Sequence, residues 1–343
     1  MRIELIKLNE TRNVSLTCFL QEVNGEFGFS RRPAVLVLPG GGYAMCSERE
    51  ADPAALSYLK AGYQAFVLRY TVGSNGGWPL PLEDYEQAMA LIMERADEWH
   101  VEKNRIAVVG FSAGGHLAAC AATMAEHKPA AAVLVYPAIL KEIVDMCKPD
   151  MPYPNEHVDR DTCPCFLAAA RDDRTVDIKN TLMMELALAE HSVAFESHIY
   201  SFGGHGFSTA EEWISTNSVS ERVPHWVEDS VSWLKEIMGG LTRRGMSEPN
   251  SAISVNGDCA PVLSVACSLE HILMQSPEVK KLLCPMFDRI KTLAAERGFS
   301  VDGLIRAVSR DTLREIMEQL GFSAEEIGRF DIELHKIINQ QEN

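Results

Sequence analysis

The sequence predicts an α/β fold: a mostly parallel sheet covered by helices on both faces, followed by a small all-helical region. Three observations carry this expectation. From residue 14 to about 238, short β-branched or apolar runs alternate with longer stretches of helical periodicity. The runs AVLVL at 34–38 and IAVV at 106–109 are apolar throughout, as in buried strands. Beyond a stretch rich in Gly, Ser, Asn and Pro, the last residues, about 80 of them, carry helical patterns and no convincing strand.

Taken in order, residues 14–20 are expected as an antiparallel lead-in strand and 34–38 as a buried one. Ser47 is a candidate cap for a helix bearing Ala54, Ala55, Tyr58 and Leu59 at helical spacing, after which 65–68 returns as strand. Residues 81–99 place Leu82, Tyr85, Ala88, Met89 and Ile92 on one helical face, with Glu83 and Asp84 in the first turn complementing the helix dipole. The strand at 106–109 runs directly into a glycine-rich turn. Further strands are expected at 132–135, 165–169 and 195–200, with a closing helix from about 225 to 237. Residues 239–261 lose periodicity, so the first domain is set at 1–240, a linker at 241–261 and a helical domain at 262–343. Helical patterns in the last of these occupy about 262–297, 300–308, 310–320 and 323–339.

Composition narrows the classes of function. The chain has 343 residues, 46% hydrophobic and 23% charged, which is ordinary for globular protein with a sizeable core. A formal net charge of −16 opposes binding to a phosphate backbone, and no basic stripe is present, so nucleic acid is not expected as a partner. The opening MRIELIKLNETRN is broken by charges and lacks a signal-peptide apolar core, and no stretch is apolar enough to span a bilayer. A cytoplasmic protein with no membrane partner is the expectation. Nine cysteines without a tight spacing framework suggest reduced thiols, and Cys163 and Cys165 have no second ligand pair to make a metal site.

The chemistry gathers in a few short motifs. Gly110-Phe111-Ser112-Ala113-Gly114 matches G-x-S-x-G between a buried strand and a helix of small residues, the context in which a serine is thrust out on a sharp turn. Ser112 is therefore the candidate nucleophile. Pro39-Gly40-Gly41-Gly42-Tyr43 follows the earlier buried strand, where three glycines let backbone N–H groups face a substrate oxygen. The Lys and Ser or Thr of a phosphate-cradling loop are missing there, so Gly41, Gly42 and Ala113 become the candidate oxyanion hole. His205, in FGGHGF after the last strand, has glycines on both sides and is the candidate base ahead of His191, His198 and His225. His116 is assigned to packing or hydrogen bonding. Between serine and histidine lies Arg171-Asp172-Asp173-Arg174, where either aspartate could hold the imidazole. Tyr43, Trp78 and Tyr136 are candidates to line a pocket or pack in the core.

With these motifs assembled, residues 33–238 resemble the α/β-hydrolase esterases, acetylxylan-esterase-like and carboxylesterase-like enzymes. The resemblance runs through LPGGGY at 38–43, SEREADPAAL at 47–56, PLEDYEQA at 81–88, NRIAVVGFSAGGHLAA at 104–119, DDRTV at 172–176 and GGHGF at 203–207. It implies an α/β-hydrolase fold and metal-independent, cofactor-free ester hydrolysis by a Ser-His-Asp triad, often on acetyl groups of plant-derived sugars. It also implies a small-molecule or oligosaccharide ester as the partner. Within it, the acid precedes a valine by three positions, which selects Asp173. The family's Val-Pro after that acid is here Val176-Asp177. A peptidase of the same fold and a non-catalytic scaffold with a helical interaction module are the competing expectations. The helical tail is faintly similar to C-terminal appendages of some bacterial carbohydrate-active enzymes.

Overall fold

Eight strands form one sheet in the order β1-β2-β4-β3-β5-β6-β7-β8. In this computed structural model the described residues are 1–148, 150–215, 218–243, 245–247, 249, 264–265, 267–269, 272–273, 277–308 and 311–339. The strands are β1 (Arg2–Asn9), β2 (Val14–Leu20), β3 (Arg32–Leu38), β4 (Gln64–Arg69), β5 (Val101–Phe111), β6 (Ala131–Val135), β7 (Cys165–Ala170) and β8 (Phe195–Tyr200). β2 runs antiparallel to both β1 and β4, and every later pairing is parallel, with Leu38 opposite Gly110 and Phe111 opposite Val135. The α/β class and the antiparallel lead-in are as the alternation of runs requires.

The apolar strands are buried because helices cover both faces. α1 (Asp52–Lys60) and α6 (Trp226–Met238) pack on one face with Val35, Val37, Val109 and Val133, and α2 (Leu80–Glu94), α3 (Ala113–Met124), α4 (Lys141–Cys147) and α5 (Lys179–Glu190) on the other with Leu36, Val108 and Leu134. Each such side chain, fully withdrawn from water, stabilises the fold by about 1.5–3 kcal/mol. α3 approaches β5 closely because both carry small residues: a Cβ on Gly110 would lie 2.2 Å from Gly114 O and 2.6 Å from Ala118 Cβ.

Three local expectations are corrected. Ser47 caps no helix: its side chain makes no cap bond to the short 3-10 turn at Glu48–Glu50, and α1 begins after Ala51. Asp84 does not serve the dipole of α2. It is buried, ion-paired with Arg12 at 2.7 Å, and accepts from the Thr71 amide at 2.8 Å and the Thr71 hydroxyl. α2 ends at Glu94 rather than Trp99, since the chain turns through His100 (φ 53°) into β5, with Arg95 over the Trp99 ring at 4.4 Å. β1 went unassigned in the sequence.

The chain divides into two compact units, Met1–Asn250 and Ser251–Asn343. Residues assigned to the linker open with a hairpin of β9 (Leu241–Thr242) and β10 (Gly245–Met246), and Ser247 is tied back by its amide to Gly240 O and by its carbonyl to Arg105. The 251–261 part of the linker lies outside the described residues, as do Arg244, Glu248 and Asn250. In the second unit α7 (Pro277–Leu282), α8 (Cys284–Arg297), α9 (Val301–Val308), α10 (Leu313–Gln319) and α11 (Ala324–Asn339) enclose Leu283, Met286, Ile290, Leu313 and Ile316. Thr312 and Glu315 form a capping box that starts α10. Among the described residues, no helix is long and apolar enough to cross a membrane.

Because each unit has its own apolar core, a chain ending at Asn250 is expected to fold cooperatively, with far-UV circular dichroism of an α/β protein and its own unfolding transition. An insoluble product would show that the first unit needs the second.

Candidate active site

The C-terminal ends of β3, β5, β7 and β8 deliver the chemistry-bearing residues to one edge of the sheet, where ligands of open α/β sheets bind. Ser112 sits between β5 and α3 with φ 52° and ψ −115°, a strained conformation for a residue with a Cβ. The turn is held from both sides: the Ser112 amide donates to Val135 O at 3.0 Å, and Ser112 O accepts from His116 N and Ala138 N. With the backbone pinned this way, the side chain points off the sheet edge. Its Oγ lies 2.9 Å from His205 Nε2.

His205 is carried by the glycine-rich loop after β8, where Gly204 (φ 63°) and Gly206 (φ 73°) take left-handed conformations on either side of it. Its Nδ1 lies 2.7 Å from Asp173 Oδ2. The Asp173 carboxylate is buried, and its Oδ1 accepts from the Thr175 and Val176 amides at 2.8 and 2.9 Å. A carboxylate fixed at one oxygen by the backbone and facing Nδ1 with the other favours the tautomer with hydrogen on Nδ1. Nε2 is then the acceptor for the serine hydroxyl.

The neighbouring aspartate does something else. Asp172 Oδ1 accepts from the Gly203 and Gly204 amides at 2.9 and 3.0 Å. Those bonds, the Gly204 one foremost, hold its carboxyl below the usual range. It is an exposed residue, and through these bonds it ties the β7 turn to the histidine loop.

Gly40, at the root of the Gly41–Gly42 turn, abuts the serine. A Cβ on Gly40 would lie 3.0 Å from Ser112 Cβ, one on Gly114 2.1 Å from Leu38 O, and one on Gly41 (φ 127°) 2.2 Å from Met45 O. Only glycine fits at these three places. Among the described residues, the amides of Gly41, Gly42 and Ala113 have no protein acceptor. The Ala113 amide stands at the N-terminus of α3 directly after Ser112, a place that favours developing negative charge.

Two of the aromatic candidates are not pocket walls. Tyr43 and Tyr136 are 2% and 1% exposed. Tyr43 bonds His116 Nδ1 at 2.8 Å, while His116 Nε2 lies 2.9 Å from Pro152 O, and burial lowers this imidazole to about 4. His116 is thus a neutral support under the glycine turn. Trp78 is half-buried, edge-on to the same imidazole. Among the described residues, no group of His, Cys, Asp and Glu has the makings of a metal site. Sequence reasoning missed Glu50 altogether: it is buried, its Oε2 accepts from Gly40 N at 2.9 Å, and its Oε1 accepts from Tyr136 Oη at 2.7 Å. The charged run Glu48-Arg49-Glu50 around it offers no local signal of that burial.

Comparisons with known proteins bear on the fold and the family. A family model described as BD-FAE matches residues 28–137. An acetylxylan esterase of Xylanibacter ruminicola is 28% identical over 254 residues, covering 68% of this chain and 50% of that one. Endo-1,4-beta-xylanase B of Butyrivibrio fibrisolvens is 27% identical over 212 residues, covering 53% of this chain and 33% of that one. The chain therefore spans half or less of the length of these curated relatives. Among solved structures, MGS-M1, an alpha/beta hydrolase enzyme from a Medee basin deep-sea metagenome library, is 38% identical with a TM-score of 0.65, covering 69% of this chain and 98% of that one. With a relative that similar matched over nearly its whole length, and esterases among the others, the chain belongs to the α/β-hydrolase family, in its esterase-like group.

Proposed function

We propose that the protein is a serine esterase that hydrolyses short-chain carboxylic esters, acetyl esters above all, including those on xylan-derived or other oligosaccharides. The observation that carries this reading is the unbroken hydrogen-bonded line from Ser112 Oγ through His205 to Asp173 beside unpaired amides of the glycine turn. In the cycle, His205 Nε2 takes the Ser112 hydroxyl proton as Oγ bonds to the ester carbonyl carbon. The carbonyl oxygen, now an oxyanion, is received by the amides of Gly41, Gly42 and Ala113. The imidazolium, stabilised by Asp173, gives its proton to the departing alkoxide, and the C–O bond breaks to leave alcohol and an acyl-serine. Water then attacks the acyl carbon, passing a proton to His205. Collapse releases the carboxylic acid and returns that proton to Oγ.

The acyl preference rests on the relative named as an acetylxylan esterase. A panel of aryl esters from acetyl to octanoyl, with acetylated xylo-oligosaccharides and aminoacyl amides, tests it on unlabelled enzyme, and fluorophosphonate labelling of a separate sample tests for a reactive serine. Acetyl esters are expected to turn over faster than those of six or more carbons, and the amides not at all. Faster turnover of octanoyl esters would make the enzyme lipase-like, and amide cleavage would make it a peptidase.

A further inference from the structure

Glu50 is a carboxylate nine-tenths or more withdrawn from water, yet neither the triad nor the oxyanion amides include it. Both of its oxygens are engaged by donors from different loops. Oε2 takes the Gly40 amide, at the root of the turn that presents Gly41 and Gly42. Oε1 takes the hydroxyl proton of Tyr136. The Tyr136 oxygen in turn accepts from Ser208 N at 3.0 Å, and its ring meets His205 edge-on at 4.9 Å and Phe207 at 4.6 Å. The preceding residue grips the same loop: Arg49 O accepts from Ser208 Oγ at 2.5 Å, and the Arg49 guanidinium donates to the carbonyls of Gly206 and Ile214, each at 3.4 Å.

We propose that Arg49 and Glu50 form a clamp in which Glu50 is a positioning residue, locking the glycine turn of the oxyanion site to the loop that carries His205. This inference rests on the esterase reading of the same site. A carboxylate is suited to the task because it accepts at both oxygens, as Gly40 N–H and Tyr136 O–H both require. Burial opposes its charge and raises its carboxyl above the usual range, while the bonds from Tyr136 and Gly40 work the other way. Its two donors offset part of the cost of that burial.

Glu50→Gln separates positioning from packing, since it conserves shape but gives only one accepting oxygen. Either its NH2 opposes the Gly40 amide, or it faces a Tyr136 oxygen already bonded by Ser208 N and strands the tyrosine proton. One loop is released in both cases. The expected result on acetyl esters, per titrated active site, is a kcat lower by about 10- to 100-fold with KM within about threefold, because misplacement by an ångström costs this much. Hydrogen exchange should accelerate in peptides covering residues 38–45 or 203–209, whichever loop is released. Tyr136→Phe should act in the same direction, and the double variant should be no slower than the slower single one. A kcat within twofold of wild type, unchanged exchange in both segments, or additive losses would each overturn the clamp. If the wild type turns over no ester, the esterase reading fails, whereas the exchange measurement still decides whether Glu50 joins the two loops.

Discussion

Ser112→Ala is expected to lower ester turnover by about 10⁴-fold or more and to abolish labelling by a fluorophosphonate, while leaving the unfolding curve almost where it was. The loss is large because the hydroxyl is the attacking atom, and the amides of Gly41, Gly42 and Ala113 can still polarise a carbonyl but have nothing to transfer the acyl group to. Stability is spared for a geometric reason. The strain at φ 52° comes from the backbone and the Cβ, both of which alanine keeps, and the bond that Oγ makes is to His205, a partly exposed residue. His205→Ala should fall nearly as far. Since base and nucleophile act as one unit, the double variant should be no slower than Ser112→Ala alone. Near-normal turnover or labelling in Ser112→Ala would remove the proposed nucleophile, and an additive double variant would mean that His205 acts in some other step.

What the sequence made legible follows from which interactions are local. The runs AVLVL and IAVV declare buried strands by themselves, and the serine turn is written in five adjacent residues, so β3, β5 and Ser112 could be located without coordinates. The same holds for His205, whose flanking glycines meet a local backbone need. Long-range polar pairings left no such trace. Asp84 looked like a first-turn helix residue because its partners, Arg12 and Thr71, are distant or unremarkable in the chain. Glu50 sits two residues from Glu48, an exposed ion-pair partner of Arg69, and nothing local distinguishes the two carboxylates. β1 leaves no clear sequence signal because an edge strand alternates exposed and half-buried residues, so that its apolar positions are interrupted by charges. The hairpin of Leu241–Thr242 with Gly245–Met246 reads as linker in the sequence because four paired residues are too few to show a period.

The two aspartates after β7 provide the sharpest test, because adjacent residues with the same side chain should respond very differently to the same substitution. Asp173 uses both oxygens: Oδ1 accepts two backbone amides, and Oδ2 faces His205 Nδ1 at 2.7 Å. Asparagine has one accepting oxygen, and the amides of Thr175 and Val176 claim it, since turning the NH2 toward them would oppose two donors to two donors. The NH2 then points at Nδ1, forces that nitrogen to be the acceptor, and moves the imidazole hydrogen to Nε2. A protonated Nε2 cannot take the proton of Ser112. Asp173→Asn is therefore expected to cost up to about 10⁴-fold in kcat, as the wrong tautomer does in other triads. Asp172 receives both of its bonds, from Gly203 and Gly204, on the single oxygen Oδ1, which asparagine retains. Asp172→Asn should lose only the charge that strengthens those bonds and lower kcat by no more than about tenfold. Asp172→Ala, which removes the acceptor, should cost more than Asp172→Asn and still less than Asp173→Asn, because the histidine loop is also held through Tyr136 and Arg49. Steady-state turnover of an acetyl ester by the three variants decides it, and a crippled Asp172→Asn beside an active Asp173→Asn would transfer the role of the acid to Asp172.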